Sequence, residues 1–177
     1  MGSVSGPRKW ESKAVLLEHM GSFGGRSLLL GSNAEAPREF YSFSVSWNGM
    51  ACEIGLIVSG HGTKPEVALL AHPGRVIVGH DTWLTWLNLS ELAVIATRQL
   101  NGVFYRFQPL ADSSDVLAIH ELGVVRVDAD GTELWLVHTD VIEQAEMDTE
   151  GTLAITQMDM PSALRISVRT GQRLNTH

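Results

Sequence analysis

A chain of 177 residues, 44% hydrophobic and 19% charged, is long enough to bury a core without disulfide or metal staples and is not the composition of a disordered chain. Its net charge of −7 argues against nucleic acid as a partner, since phosphate binding needs clustered positive charge. The single cysteine, Cys52, forms no internal disulfide and reads as a small buried side chain; with no run near the ~18–20 apolar residues of a membrane span and no apolar region of a signal peptide at the start, a cytoplasmic location without a membrane partner is expected.

In chain order, residues 1–12 read as an irregular leader, with Trp10 able to pin it to the body, and 13–177 as a single β-rich domain. Lys13 to Glu18 is a short apolar run, Gly21 to Gly25 a turn, and Arg26 to Leu30 a strand. After a polar connection through Pro37, Phe40 to Trp47 alternates: Phe43, Val45 and Trp47 share one face and the serines the other, with Asn48-Gly49 closing a hairpin. Ala51–Ile57 and Val67–Ala71 are further strands around the loop Ser59–Pro65, and Arg75–Val78 leads through Gly79-His80-Asp81 into Trp83–Leu87. Residues 89–100 are ambiguous. Ser90 offers a helix cap, but Val94-Ile95 and the following Asn101-Gly102 favour a strand running into Val103–Phe107.

The stretch from Asp115 to Trp135 is the most informative. An apolar run, a short break, an alternating run and Asp130-Gly131 read as strand–turn–strand, with Val125 and Val127 on one face, Arg126 on the other, and Gly131 taking a positive φ. Strands over Val141–Met147, Thr152–Thr156 and Leu164–Val168 follow, and Thr170-Gly171 turns the chain again.

These elements repeat. Val76 to Asp81 precedes Val116 to Glu121 by forty residues, Leu153 follows Val116 by thirty-seven, and the Asp130-Gly131 turn recurs forty residues later at Thr170-Gly171; Arg26 to Gly49 has a similar outline. A period near forty with about four strands is that of propeller blades, none of which buries both faces alone. Val127-Asp-Ala-Asp-Gly-Thr-Glu-Leu-Trp135 resembles the repeat of pyrroloquinoline-quinone-type β-propellers, and Ser167 to Leu174 resembles a degraded copy without the tryptophan. The resemblance covers the C-terminal third well, the middle loosely and the first seventy residues only in outline. It implies tryptophan docking between neighbouring blades, with Trp135 alone in the matching place. The length holds about four blades, so the expected fold is all-β, a small or incomplete β-propeller-like array of antiparallel sheets, with a β-sandwich as the alternative.

Complete catalytic motifs do not appear. Gly55 to Gly60 is followed by His61 rather than Lys and Ser/Thr, so no phosphate loop forms, and there is no Gly-x-Ser-x-Gly elbow. Asp128-Ala-Asp-Gly131 lacks the distal ligands of a calcium loop and reads as a plain turn, and the sequon Asn88-Leu-Ser90 carries no weight without a secretion signal. His80-Asp81 and His120-Glu121 hold the same register in successive repeats; imidazole beside carboxylate is competent to bind a divalent metal or move protons, although such a pair also serves to punctuate a hairpin, its carboxylate accepting backbone N–H bonds. His61 is a lesser candidate, and Trp83 and Trp86 read as packing residues.

Charge points elsewhere. Residues 112–150 hold eleven Asp and Glu against Arg126 alone, a net −10, while the flanking segments are +1 and +2. Such a segment suits a basic partner protein, with Asp140, Glu143 and Glu146 at the contact, or else a solvated surface that aids solubility. The favoured expectation is a non-enzymatic interaction scaffold, such as a bacterial accessory or immunity-type protein, requiring no cofactor. The alternative is a small metal-assisted hydrolase using His80, Asp81, His120 and Glu121.

Overall fold

The computed structural model describes residues 2–31, 38–110, 113–148 and 151–174. The first sheet is assembled from β1 (Gly2–Val4), β2 (Arg8–Trp10), β3 (Ser27–Leu30), β4 (Glu39–Trp47) and β5 (Met50–Val58), in the order β1-β4-β5-β3 with β2 also on β4; the helix α1 (Lys13–Gly21) precedes β3. Residues 2–10, expected to be irregular, thus contribute two short strands, and Trp10 pins them by donating its ring N–H to Ser42 Oγ at 2.9 Å.

Three further sheets each follow one simple path. They are β6 (Glu66–Leu69), β7 (Arg75–His80), β8 (Trp83–Asn88) and β9 (Ala93–Gln99); then β10 (Phe104–Pro109), β11 (Val116–His120), β12 (Gly123–Val127) and β13 (Glu133–His138); then β14 (Ile142–Met147), β15 (Thr152–Gln157), β16 (Leu164–Ser167) and β17 (Arg173–Leu174). Every neighbour within these three sheets is antiparallel. The ambiguous stretch after Leu89 is therefore a strand, the fourth of its sheet.

The core is a series of seams between sheets. Tyr41, Phe43, Val45, Ile54 and Leu56 meet Val76, Val78 and Leu87; Ile77, Leu84 and Trp86 meet Phe104, Phe107, Val116, Ala118 and Val125; Leu117, Ile119 and Val124 meet Ala145, Leu153, Ile155 and Ile166. Strands β7 and β11 lie between two seams, which is why they read as unbroken apolar runs: successive side chains point to opposite sheets and both must be apolar. Three seams among four sheets exclude the two-layer sandwich. The fold is all-β and propeller-like.

Tryptophans lock the seams. Trp47, Trp86 and Trp135 each lie against a positive-φ glycine in a turn of the next sheet: Gly74 (φ +72°), Gly131 (φ +91°) and Gly171 (φ +71°). Trp86 donates its ring N–H to the Asp128 carbonyl at 3.1 Å and Trp135 to that of Val168 at 3.2 Å. The sequence placed docking only at Trp135; Trp86 and Trp47 do it as well. A Cβ would come within 2.8 Å of the Trp135 ring at Gly171 and 3.3 Å of the Trp47 ring at Gly74, while at Gly131 it would press on Ala96 at 3.1 Å and touch Trp86 at 3.4 Å; at all three it would also strain the backbone.

The first sheet departs from the repeat. β3 pairs with β5 in parallel. Ser59, just beyond β5, meets Asp81 in the β7–β8 hairpin, while Trp47 meets Gly74 before β7. Strand β5 therefore runs in the sense of β7, and the β4–β5 hairpin sits at the end opposite the β7–β8 hairpin. The outline shared by residues 26–49 does not make them a blade of the same path. On the far face of this sheet lies α1, capped by Ser12 Oγ, which accepts the Val15 N–H at 3.3 Å. Its buried Leu16 and Met20 stand one turn apart, and a Cβ at Gly55 would be 2.3 Å from Met20 Sδ. This run of residues carries little helical signal beyond Ser12 and the Leu16–Met20 spacing, because nine residues are too few to show a period.

Candidate functional site

Strands β7 and β11 end in the same register, His80 opposite Trp83 and His120 opposite Gly123. Alternation turns His80 toward the first sheet with Val76 and Val78, and His120 toward the second with Val116 and Ala118. Both are buried, His120 completely, and among the described residues neither ring nitrogen of His120 has a hydrogen-bond partner. Burial, reinforced by repulsion from His138 and Arg98, pushes its pKa down to about 4, so the ring is neutral at pH 7. Gln157, thirty-seven residues further, fills the equivalent end of β15 and accepts the Asp140 N–H at 3.1 Å.

The adjoining carboxylates are engaged with backbone. Both oxygens of Asp81 accept the Ser59 N–H, at 2.9 and 3.1 Å, and Asp81 Oδ2 stands 3.5 Å from His80 Nδ1. Glu121 Oε2 accepts the Val103 N–H at 3.4 Å. Their main chains tie sheet to sheet: the Asp81 carbonyl takes the Phe104 N–H at 2.6 Å, and the Glu121 carbonyl takes the Ile142 N–H at 2.8 Å. Among the described residues no three His, Cys, Asp or Glu side chains gather closely enough to hold a metal.

The other sequence candidates fall where packing places them. His61 is exposed in its loop, Trp83 is partly exposed at the start of β8, and Trp86 is in the core. Cys52 is buried, which pushes its thiol pKa up. Asp128 Oδ1 accepts the N–H groups of Asp130 and Thr132, at 2.9 and 2.8 Å, closing its own turn. Asn88 Oδ1 likewise accepts the Ser90 N–H at 2.9 Å.

Four carboxylates of the acidic segment are balanced locally. Asp115 pairs with Arg126 at 2.7 Å, Asp130 with Arg75 at 3.5 Å, Asp148 with Arg165 at 2.6 Å, and Glu133 with Arg98. Although burial opposes ionisation of Asp115, hydrogen bonds from Ser113 and Arg126 hold its carboxyl below the usual range. Asp140, Glu143 and Glu146 differ. All three are exposed, and among the described residues none has an ion-pair partner. Glu146 accepts the Gln144 amide, at 2.6 Å. Glu143 and Glu146 border a groove of about 370 Å³ between β10 and β14, floored by Tyr105, Arg106 and Ile119. Arg106 is committed, its guanidinium donating to Gln108 Oε1 and to the Ala145 carbonyl.

Four sheets packed in series define a propeller-like module, and a solved structure agrees on the fold. The chain is similar to the dihydro-heme d1 dehydrogenase NirN in complex with DHE, with a TM-score of 0.58 and 9% identity over 78% of this chain and 34% of that one. It is also similar to BamB from Moraxella catarrhalis, with a TM-score of 0.49 and 11% identity over 98% of this chain and 51% of that one. The chain thus spans about a third to a half of the length of these structures. No family model matches it, and no curated protein matches it in sequence. The likeness extends to the propeller fold; the pyrroloquinoline-quinone-type repeat itself has no match behind it.

Proposed function

We propose that this protein is a non-enzymatic interaction scaffold that docks a basic protein partner against Asp140, Glu143 and Glu146. The observation that supports this reading is the contrast within one acidic segment: Asp115, Asp130, Glu133 and Asp148 carry their own arginines, whereas these three face solvent with none. Exposed carboxylates left unneutralised steer an oppositely charged surface and fix its orientation. Propeller-like sheets supply a rigid frame, and β14 holds two of the three at fixed spacing. The metal-assisted alternative draws less support from the same geometry, because Asp81 and Glu121 are engaged with backbone N–H groups and His120 is sealed from solvent.

The test is affinity capture from the native cell with two baits, the wild type and the combined Asp140→Lys, Glu143→Lys, Glu146→Lys variant. The wild type is expected to retain a basic protein that the variant loses. Identical captured sets would reduce the acidic face to a solvated surface.

A further inference from the structure

The first strands of the sheets gather along one line: β1 lies against β6, β6 against β10, and Arg106 of β10 reaches the Ala145 carbonyl of β14. A groove opens on each side of β10. One, of about 360 Å³, is lined mainly by apolar groups, among them Val4, Pro7, Phe43, Leu69 and Phe107; its one carboxylate, Glu66, accepts the Phe107 N–H at 2.8 Å. The other is the groove bordered by Glu143 and Glu146. Strands β10 and β14 carry an irregularity at the same place, Tyr105 and Glu143, where the pairing skips a residue. Such bulges turn an edge away from simple strand addition and re-aim side chains.

We propose that the partner presents an extended segment that crosses β10, with an apolar side chain in the first groove and a Lys or Arg between Glu143 and Glu146. This rests on the interaction reading above and names the form of the partner. Charge complementarity selects the second residue: Arg106 keeps its positive charge while bonded to Gln108 and Ala145, but Glu143 and Glu146 outnumber it and both stand exposed, so the groove is net negative. The first groove holds the single carboxylate Glu66, engaged by the Phe107 N–H, in an otherwise uncharged and mainly apolar lining, and it takes an apolar anchor, which supplies affinity while the ion contacts supply orientation. Packed sheets stand about 10 Å apart, and an extended chain advances roughly 3.3–3.6 Å per residue. The apolar and basic residues are therefore about three positions apart.

The experiment is an array of short synthetic peptides in which one Leu is placed at increasing distances from a Lys-Lys pair, read by binding of the intact labelled protein. Solution affinities of the best peptide follow by fluorescence anisotropy. Binding is expected to require both features, to peak near a separation of three, and to weaken about tenfold in Leu69→Lys and in the Glu143→Lys, Glu146→Lys pair, with circular dichroism confirming that both variants fold. Binding indifferent to the leucine and to Leu69→Lys, yet sensitive to the glutamates, would overturn this inference and leave the acidic docking surface standing. So would an array with no binding at any separation while capture of the native partner still depends on the charges. Loss of charge dependence in both experiments would overturn the two together.

Discussion

Trp135 and Gly171 occupy each other's space across the last seam: a Cβ at Gly171 would stand 2.8 Å from Cδ2 of the indole. The glycine is required twice, for its φ of +71° and for the ring against it. Gly62 separates the two requirements, because its φ is +86° but nothing lies within 4 Å of a Cβ there. Gly62→Ala is expected to cost about 1–2 kcal/mol from the backbone alone. Gly171→Ala adds overpacking, about 1–3 kcal/mol more, and Gly131→Val, against Ala96 and Trp86, falls with it. Urea midpoints measure the difference, and equal losses at Gly62 and Gly171 would remove the tryptophan docking from the account.

Acid should loosen the second seam first. The folded pKa of His120 is about 4, below its ordinary 6.5, so as pH falls the unfolded chain takes up the proton before the folded one does. Stability is therefore full above about pH 6.5 and declines toward pH 4, by on the order of 3 kcal/mol. Asp115 and Glu39, whose carboxyl pKa values are lowered, act at lower pH: their contribution is present above their ordinary 3.8 and 4.5 and is lost below. Unfolding free energies measured between about pH 7 and pH 5 should fall in the wild type and stay nearly level in His120→Leu. Parallel slopes would assign the decline to another group.

Helix α1 is held to the first sheet through a polar contact. Glu53, 1% exposed, binds His19 Nε2 at 2.8 Å and Ser44 Oγ at 2.6 Å, and His19 stacks on Trp10 at 4.5 Å between ring centroids. In His19→Ala the carboxylate keeps only Ser44, a loss of about 1–3 kcal/mol. Amide exchange of residues 13–21 should quicken, while strands β11 and β12 keep their protection. Uniform quickening would mean that the helix and the seams open as one unit.

What the sequence revealed follows physical range. Period-two alternation, Asp130-Gly131 and the forty-residue spacing are local or repeated signals, and they led to three sheets that share one path. The first sheet escaped because its order depends on a parallel pairing between β3 and β5, separated by β4, which no local pattern encodes. The serine face of β4 was placed opposite Phe43, Val45 and Trp47, but no local pattern showed that it is covered: Ser42 is buried and takes the Trp10 N–H, and Ser44, though exposed, donates to the buried Glu53. Ser12 capping Val15, with Leu16 and Met20 one turn apart, was the available sign of α1. At the candidate site the net charge of the acidic segment was readable in advance. Which carboxylates are neutralised was not, since Arg75, Arg98 and Arg165 reach it from outside that segment.

The central claim is that Asp140, Glu143 and Glu146 steer and hold a basic partner. The most direct test is stopped-flow association of the captured partner with the wild type and with the triple lysine variant across a range of ionic strength. Exposed charges act within a screening length of ~10 Å at 0.1 M salt. The wild-type on-rate should therefore fall steeply as salt rises, whereas the variant should associate at least about tenfold more slowly at low salt and show a shallow or inverted dependence. Equal on-rates and equal salt dependence for the two proteins would contradict the account.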